Sequence, residues 1–257
     1  MAAKPHQICK LKKITPGVSG MKKVSLFAIS FLRLDVSLKK RKIFIWMEKF
    51  ASFFGGKIVA CSQSEKEVIE EQGIKNVTFI NNGIKPLQIE KKENMSDKIT
   101  IISVGRLSIQ KNPKLFNDIA LEFKDNSNIQ FIWCGDGELK SELNSPNIKC
   151  TGWIERKELE CYLVNADIYL STSLWEGLPL SVLEAMSVGL PVVLSNCVGN
   201  RDLVRDNGFL YKDKKEATNN INELIENKEL INKKGYNSKI LMDNNFYIKN
   251  MAISYLN

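Results

Sequence analysis

A rhythm constrains this chain more than anything else in it: from Ile99 onward, short apolar runs alternate with helix-like segments until six strands have been laid down. Ile99 to Val104 is apolar except for Thr100 and Ser103, the pattern of a strand covered on both faces in a parallel sheet. Pro113 suits the first position of a helix reaching Lys124. Ile129 to Cys134 is the next strand, Gly135-Asp136-Gly137 a turn, and Glu138 to Leu143 a short helix. Strands follow at Asn147 to Thr151, Ile168 to Thr172, Pro191 to Ser195 and Phe209 to Tyr211, with helices at Glu155 to Asn165 and Pro179 to Val188. This alternation predicts an α/β class, a doubly wound parallel sheet with right-handed crossovers, which binds ligands at the carboxyl ends of its strands.

The chain ahead of that sheet reads differently. Lys39 to Phe54 carries apolar residues at the spacing of an amphipathic helix, and Lys57 to Cys61 is a short strand. Ser64 is expected to cap a helix, with Glu67 three residues on as a capping box and Gly73 as its stop. Val77 to Ile80 is a further strand, ended by Asn81-Asn82-Gly83, and Lys85 to Lys98 is polar, contains Pro86 and has no period. The expected organisation is a partial N-terminal domain over 1–84, a linker over 85–98 and a C-terminal domain over 99–257, the last helix returning to the N-terminal part.

Charge divides the chain as well, at a line inside the front. Of 37 Lys/Arg and 29 Asp/Glu, residues 1–57 hold 13 and 2, a balance of +11, which leaves 24 against 27, or −3, for the rest. A basic front with interleaved Phe27, Phe31, Phe44, Trp46 and Phe50 suits an anionic membrane surface or a solvated helix face; no nucleic-acid motif accompanies it. The longest apolar stretch, Val24 to Leu32, is nine residues against the roughly 20 needed to span a bilayer, so no transmembrane helix is expected. Met21-Lys22-Lys23 ahead of it imitates a signal peptide, but the stretch is internal, Arg33 and Asp35 follow, and no cleavage site is apparent. Six cysteines without a C-x-x-C pair, and a single histidine, His6, exclude a Cys/His zinc site and make a His-based triad a poor reading. Reduced thiols in the cytoplasm are expected.

Three loops at carboxyl ends of strands carry candidate chemistry. In the first, Gly105 lets backbone approach a ligand, while Arg106 and Lys111 offer a fork and a point charge suited to a diphosphate. The second, Gly135-Asp136-Gly137, permits a tight corner beside a ligand, or beside nothing. The third is Ser173 through Met186: Glu176 lies in the loop, Gly177 frees the backbone, and Pro179 starts a helix whose N-terminus favours phosphate. Glu184, among Leu180, Leu183 and Met186 on that helix, needs a partner, and ribose hydroxyls or an ordinary helix-end ion pair both satisfy it.

From Ile101 to Leu210 the sequence resembles the donor half of retaining glycosyltransferases of family 4, which adopt the two-domain GT-B fold. The resemblance rests on Val104-Gly105-Arg106 with Lys111, Gly135-Asp136-Gly137, Thr151-Gly152-Trp153, Ala166-Asp167, the E-x7-E pair Glu176 and Glu184, Gly189-Leu190-Pro191-Val192-Val193 and Asn207-Gly208-Phe209; Ala60 to Glu65 and Asn82-Gly83-Ile84 resemble the elements before the hinge. It implies a GT-B type α/β fold with a complete C-terminal Rossmann-like sheet and a partial N-terminal α/β domain. It also implies that Arg106 and Lys111 hold the nucleotide diphosphate, that Glu176 meets the donor sugar and Glu184 the ribose, and that Gly177 and Leu178 offer N–H groups to sugar and phosphate. The base then lies near Gly152 to Ile154, and Trp153, Ile154, Gly105, Gly135, Gly137 and Pro179 complete the substrate-binding set. The implied function is retaining sugar transfer from a UDP- or GDP-linked donor to a glycan or lipid-linked acceptor in surface polysaccharide synthesis, without metal or other cofactor and at the inner face of the membrane. The alternative is a shortened, non-catalytic nucleotide-sugar-binding or interaction subunit. Gly199-Asn200-Arg201-Asp202 departs from the family pattern, with Asp202 where relatives carry Glu, and the front lacks the family's active-site histidine region.

Overall fold

The computed structural model describes Val24–Ser25 and residues 37–53, 57–87 and 98–256. His6, Cys9, most of the Val24 to Leu32 stretch and most of the expected linker lie outside them.

The front region contains β1 (Val24–Ser25), α1 (Leu38–Phe53), β2 (Lys57–Ala60), α2 (Gln63–Glu71) and β3 (Val77–Phe79). The three strands form one parallel sheet in the order β1-β2-β3. A small core of Ile58, Ala60, Ile69 and Ile74 holds α2 on the sheet. The cap of α2 differs from expectation. Its N-cap is Ser62, whose Oγ accepts from the Glu65 N–H at 3.1 Å. The box is therefore Ser62 with Glu65, and Glu65 Oε2 reaches back to the Cys61 N–H at 2.7 Å. Ser64 and Glu67 satisfy the same sequence rule, but Ser64 is engaged elsewhere.

The second region begins with β4 (Ile99–Val104) and continues through α3 (Pro113–Leu121), β5 (Ile129–Cys134), β6 (Ile148–Gly152), α4 (Arg156–Val164), β7 (Ile168–Ser171), α5 (Leu180–Ser187), β8 (Val192–Ser195) and β9 (Gly208–Tyr211), closing with α6 (Lys214–Glu226), α7 (Lys228–Asn245) and α8 (Ile248–Leu256). Six parallel strands run β6-β5-β4-β7-β8-β9. Helices end a few residues earlier than the periodicity suggests, Glu138 to Leu143 shrinks to a 3-10 turn at Lys140–Glu142, and Pro179 is the N-cap of α5 rather than its first helical residue. One core cluster packs Phe116 edge-on to Phe131 and Trp133, at centroid distances of 5.6 and 5.0 Å; the other packs α5 and α7 over the opposite face, around Tyr169, Val182, Met186 and Met242.

After α7 the chain meets the front region again. Ile84 bridges Tyr247, with its N–H donating to Phe246 O and its carbonyl accepting from the Ile248 N–H, both at 2.9 Å. Gly83 permits this approach, since a Cβ there would lie 2.9 Å from the Tyr247 carbonyl. No helix among the described residues is long and apolar enough to cross a membrane.

Candidate active site

In sequence order within its own sheet, the second region's strands run 3-2-1-4-5-6, so the order reverses between β4 and β7. A crevice opens at such a switch point, outside the carboxyl ends of the two strands. The loop after β4 carries Gly105 to Lys111, and the loop after β7 carries Thr172 to Pro179. Topology alone therefore brings Lys111 and Glu176 together. Lys111 Nζ lies 2.6 Å from Glu176 Oε1, with side chains 20% and 8% exposed.

Backbone stitching fixes the pair. Thr172 Oγ1 donates to the carbonyls of Lys111 (2.8 Å) and Asn112 (3.1 Å), and the Leu174 N–H donates to Gln110 O at 2.8 Å. Gln110 Nε2 donates to Trp175 O at 2.9 Å and contacts Glu176 Oε2 at 3.4 Å. A carboxylate this buried requires a cation and hydrogen bonds, and Lys111 and Gln110 supply them. Gly105, at φ +152°, lies beneath the lysine stem: a Cβ there would come 2.9 Å from Lys111 Cε. Trp133 Nε1 donates to the Gly105 carbonyl at 2.9 Å, anchoring that loop to the core.

A cleft of about 410 Å3 lies over this pair. The second region contributes Gly105, Lys111, Glu176, Gly177, Leu178, Pro179, Leu180 and Ser181; the front region contributes Val59, Ala60, Cys61 and Asn82, and α8 contributes Tyr255. The N-terminal end of α5 faces it with no side-chain cap, so its unpaired N–H groups and positive dipole end are offered to a ligand.

Other expected site residues stand apart from the cleft lining. Arg106 is paired with Glu138 at 3.0 Å on an exposed edge, where the Glu138 carboxyl is held below its usual range, first by its own backbone N–H and then by Arg106. Gly135 and Gly137 serve backbone packing: a Cβ on Gly135 would lie 2.1 Å from Gly105 O, and one on Gly137 2.3 Å from Leu107 O. Between them the Leu107 N–H donates to Asp136 O at 3.0 Å, so two adjacent strand-end loops interlock. Trp153 is exposed, while Ile154 packs partly against the core. Glu184 has a partner in the protein itself: Arg156 Nη1 lies 2.5 Å from Glu184 Oε1 while its Nε donates to Glu160 at 2.9 Å. Arg156, Gln110, Asn82 and Tyr255 are the residues that sequence reasoning missed. Apart from Asn82, which sits in a turn signal that says nothing of a cleft, none belongs to a local pattern, and only the fold brings them to these loops.

Burial pushes the Cys197 thiol up to about 11 and the Cys134 thiol up to about 12, and burial with Glu65 beside it raises Cys61 higher still, so none is a thiolate near neutral pH. Among the described residues, no group of three or more His, Cys, Asp and Glu is placed to hold a metal ion.

Comparison with known proteins adds the following. Residues 85–240 match the family described as glycosyl transferases group 1. The chain is 32% identical over 201 residues to the Escherichia coli UDP-Gal:alpha-D-GlcNAc-diphosphoundecaprenol alpha-1,3-galactosyltransferase, covering 66% of this chain and 51% of that protein. It is 26% identical over 218 residues to an amylovoran biosynthesis glycosyltransferase of Erwinia amylovora, covering 79% and 60%. Among solved structures it superposes on TarM with a TM-score of 0.78 at 18% identity, covering 91% of this chain and 49% of that one. It superposes on Anabaena HepE in complex with UDP and glucose with a TM-score of 0.77 at 19% identity, covering 91% and 70%. At these identities the structural likeness is one of fold, the GT-B type of α/β architecture. The chain spans about half the length of the first of these relatives.

Proposed function

The chain belongs to the glycosyl transferases group 1 family, and from that premise we propose that it transfers a sugar from a UDP-sugar to a glycan or lipid-linked acceptor in surface polysaccharide synthesis, with retention, as family 4 enzymes do. The observation that carries this reading is the buried Lys111–Glu176 pair at the switch point, beneath a cleft walled by both regions. Transfer breaks the bond between the anomeric carbon and the β-phosphate oxygen, so negative charge develops on the diphosphate. Lys111 and the N-terminal end of α5 stabilise that charge, and Arg106, five residues before Lys111 on the same loop, joins them when it leaves Glu138. When the diphosphate draws Lys111, the Glu176 carboxylate is released toward the sugar hydroxyls. Glu184 takes the ribose, and Trp153 and Ile154 the base. UDP is favoured over GDP because the galactosyltransferase relative is named for a UDP donor and the HepE structure holds UDP.

The basic front suits an anionic membrane surface. On α1, Trp46 and Phe50 stack at 5.6 Å and are, like Ile43 and Met47, more than half exposed. Vesicles containing anionic lipid should retain the protein at low salt and release it at high salt. Equal retention by neutral vesicles counts against this part.

The deciding experiment is UDP release from a panel of UDP-sugars with a sugar-diphospholipid acceptor, alongside calorimetry with UDP and GDP. Release that needs Lys111 and Glu176, and a product with the donor's anomeric configuration, are expected. Failure to bind any nucleoside diphosphate sinks the reading, while binding without release leaves a nucleotide-sugar-binding subunit. A chelator should leave UDP affinity unchanged.

A further inference from the structure

Ser64 belongs to the first turn of α2 in the front region, yet its strongest polar partners lie in the second region. Its backbone N–H faces both carboxylate oxygens of Asp202, at 3.2 and 3.3 Å, and its hydroxyl donates to Asp202 Oδ2. The same hydroxyl oxygen accepts from the Gly199 N–H at 2.8 Å. Asp202 thus sits at the N-terminus of α2, where the helix dipole favours a carboxylate, and the small Ser64 side chain is used on two sides at once.

The segment holding Asp202 and Gly199 connects three places. Val198 packs against the front region's core, and Leu203 is buried in a core cluster of the second. Gly199 has φ +81°, and a Cβ there would lie 2.3 Å from the Gly177 carbonyl oxygen, so this backbone rests directly on the residue that follows Glu176. A further bond crosses the seam toward the same loop, with Asn82 Nδ2 donating to Leu178 O at 3.3 Å.

We propose that Ser64 and Asp202 form a latch across the cleft: engaged, it holds the front region over the second and presses the Gly199 backbone against Gly177, fixing the Glu176–Gly177–Leu178 loop. Both are positioning residues that act through Gly199 and touch no substrate. The polar contacts of the latch all run between one residue, Ser64, and the Gly199–Asp202 segment, so it can open for substrate entry without dismantling either core. Its consequence for catalysis rests on the donor-site reading above; the mechanical coupling does not.

Hydrogen exchange on the 257-residue chain tests the coupling without reference to activity. Ser64→Ala and Asp202→Ala should speed exchange in the 176–178 segment about tenfold, the effect of losing one hydrogen bond to a charged group. Exchange in β5, on the far side of the sheet, should not change. The double variant should exceed Asp202→Ala only by the loss of the Gly199 N–H acceptor, since the Ser64–Asp202 contacts are already gone in that single variant. Asp202→Asn keeps an acceptor and should fall between. Unchanged exchange at 176–178 in both alanine variants overturns the latch, and so does an equal rise in β5, which would mark general loosening. Calorimetry with UDP on the unaltered protein decides the donor-site reading separately. If UDP binds, the latch variants should keep its affinity within about twofold, because Lys111 and α5 remain in place, while turnover falls about tenfold. A parallel loss in UDP affinity would show that Ser64 and Asp202 shape the nucleotide site itself, and would overturn the division of roles.

Discussion

The two regions of this molecule meet at one cleft but are built to different standards. The second has six parallel strands, two clusters of fully buried side chains, and loops locked by backbone contacts at Gly105, Gly135, Gly137 and Gly199. Among its described residues the front has three short strands, a core of a few aliphatic side chains, and a helix on which Trp46 and Phe50 are exposed. The net charge differs in sign as well, +11 over residues 1–57 against −3 beyond. The rigid region supplies groups that must be held to a fraction of an ångström, while the lighter one supplies a wall, a latch and positive charge. Precision sits where packing is dense, because side-chain positions there are over-determined.

Glycines expose that contrast with the largest expected effect. Gly135→Ala places a methyl 2.1 Å from the Gly105 carbonyl at φ +146°, so either the loop beneath Lys111 moves or the variant fails to fold. A loss of about 3 kcal/mol or more in chemical denaturation is expected. Gly73→Ala in the front region has φ +76° but nothing nearer than Lys49 Nζ at 3.5 Å, so only backbone strain of about 1 kcal/mol should appear. Equal losses would erase the distinction between the regions.

Legibility in the sequence follows the same divide. The central strands β4, β5, β7 and β8 could be read because a strand buried on both faces is mostly apolar, and the Glu176 and Lys111 loops because each follows such a strand. Contacts between distant segments could not be read. Ser62-Gln63-Ser64-Glu65 and Ser64-Glu65-Lys66-Glu67 both satisfy the capping rule, and the choice is made by Asp202, 138 residues away, which takes Ser64 for itself. Gly135 and Gly137 read equally as ligand approach or tight corner, and the answer depended on the Gly105 and Leu107 carbonyls. Glu184 called for a partner, and nothing local identified Arg156.

Within the cleft the two glutamates should separate by ligand. Glu176→Ala should leave UDP affinity nearly unchanged, because Lys111 is freed for phosphate, while weakening the full UDP-sugar by roughly 10- to 150-fold, the range for a lost bond to a charged group. Glu184→Ala should weaken UDP and UDP-sugar alike. Calorimetry on both variants with both ligands measures this, and equal losses in Glu176→Ala would overturn the assignment of that residue to the sugar.

Acid–base behaviour provides a smaller test in the front region. Burial raises the Glu65 carboxyl above its ordinary value near 4.5, opposed by its bonds to Cys61 and reinforced by Asp202. One of its oxygens, Oε1, has no hydrogen-bond partner among the described residues. With the folded value raised, the folded state holds the proton more tightly, so Glu65 contributes stability below pH 4.5 that is lost as pH rises through the raised value. Melting temperatures of the unaltered protein should therefore fall relative to Glu65→Gln as pH climbs from about 4.5 toward neutrality. A constant difference across that window would show that burial leaves this carboxyl unshifted.

The smallest effect concerns Arg156, and it decides whether the Glu184 site is occupied by protein or kept ready for ligand. Arg156 is half exposed, grips Glu160 as well as Glu184, and can let go of the latter without leaving its charge unpaired. An exposed ion pair contributes about 0.2–1 kcal/mol, so releasing Glu184 costs a ribose no more than about fivefold in affinity. Arg156→Ala should then change UDP affinity by less than about fivefold, upward if the guanidinium competes with the ribose and downward if it orients the carboxylate for it. Salt separates the two, since screening weakens the competing pair and should tighten UDP in the unaltered protein relative to Arg156→Ala. A loss well beyond tenfold would mean that Arg156 contacts the nucleotide directly, and the ribose site would then have to be rebuilt around the arginine.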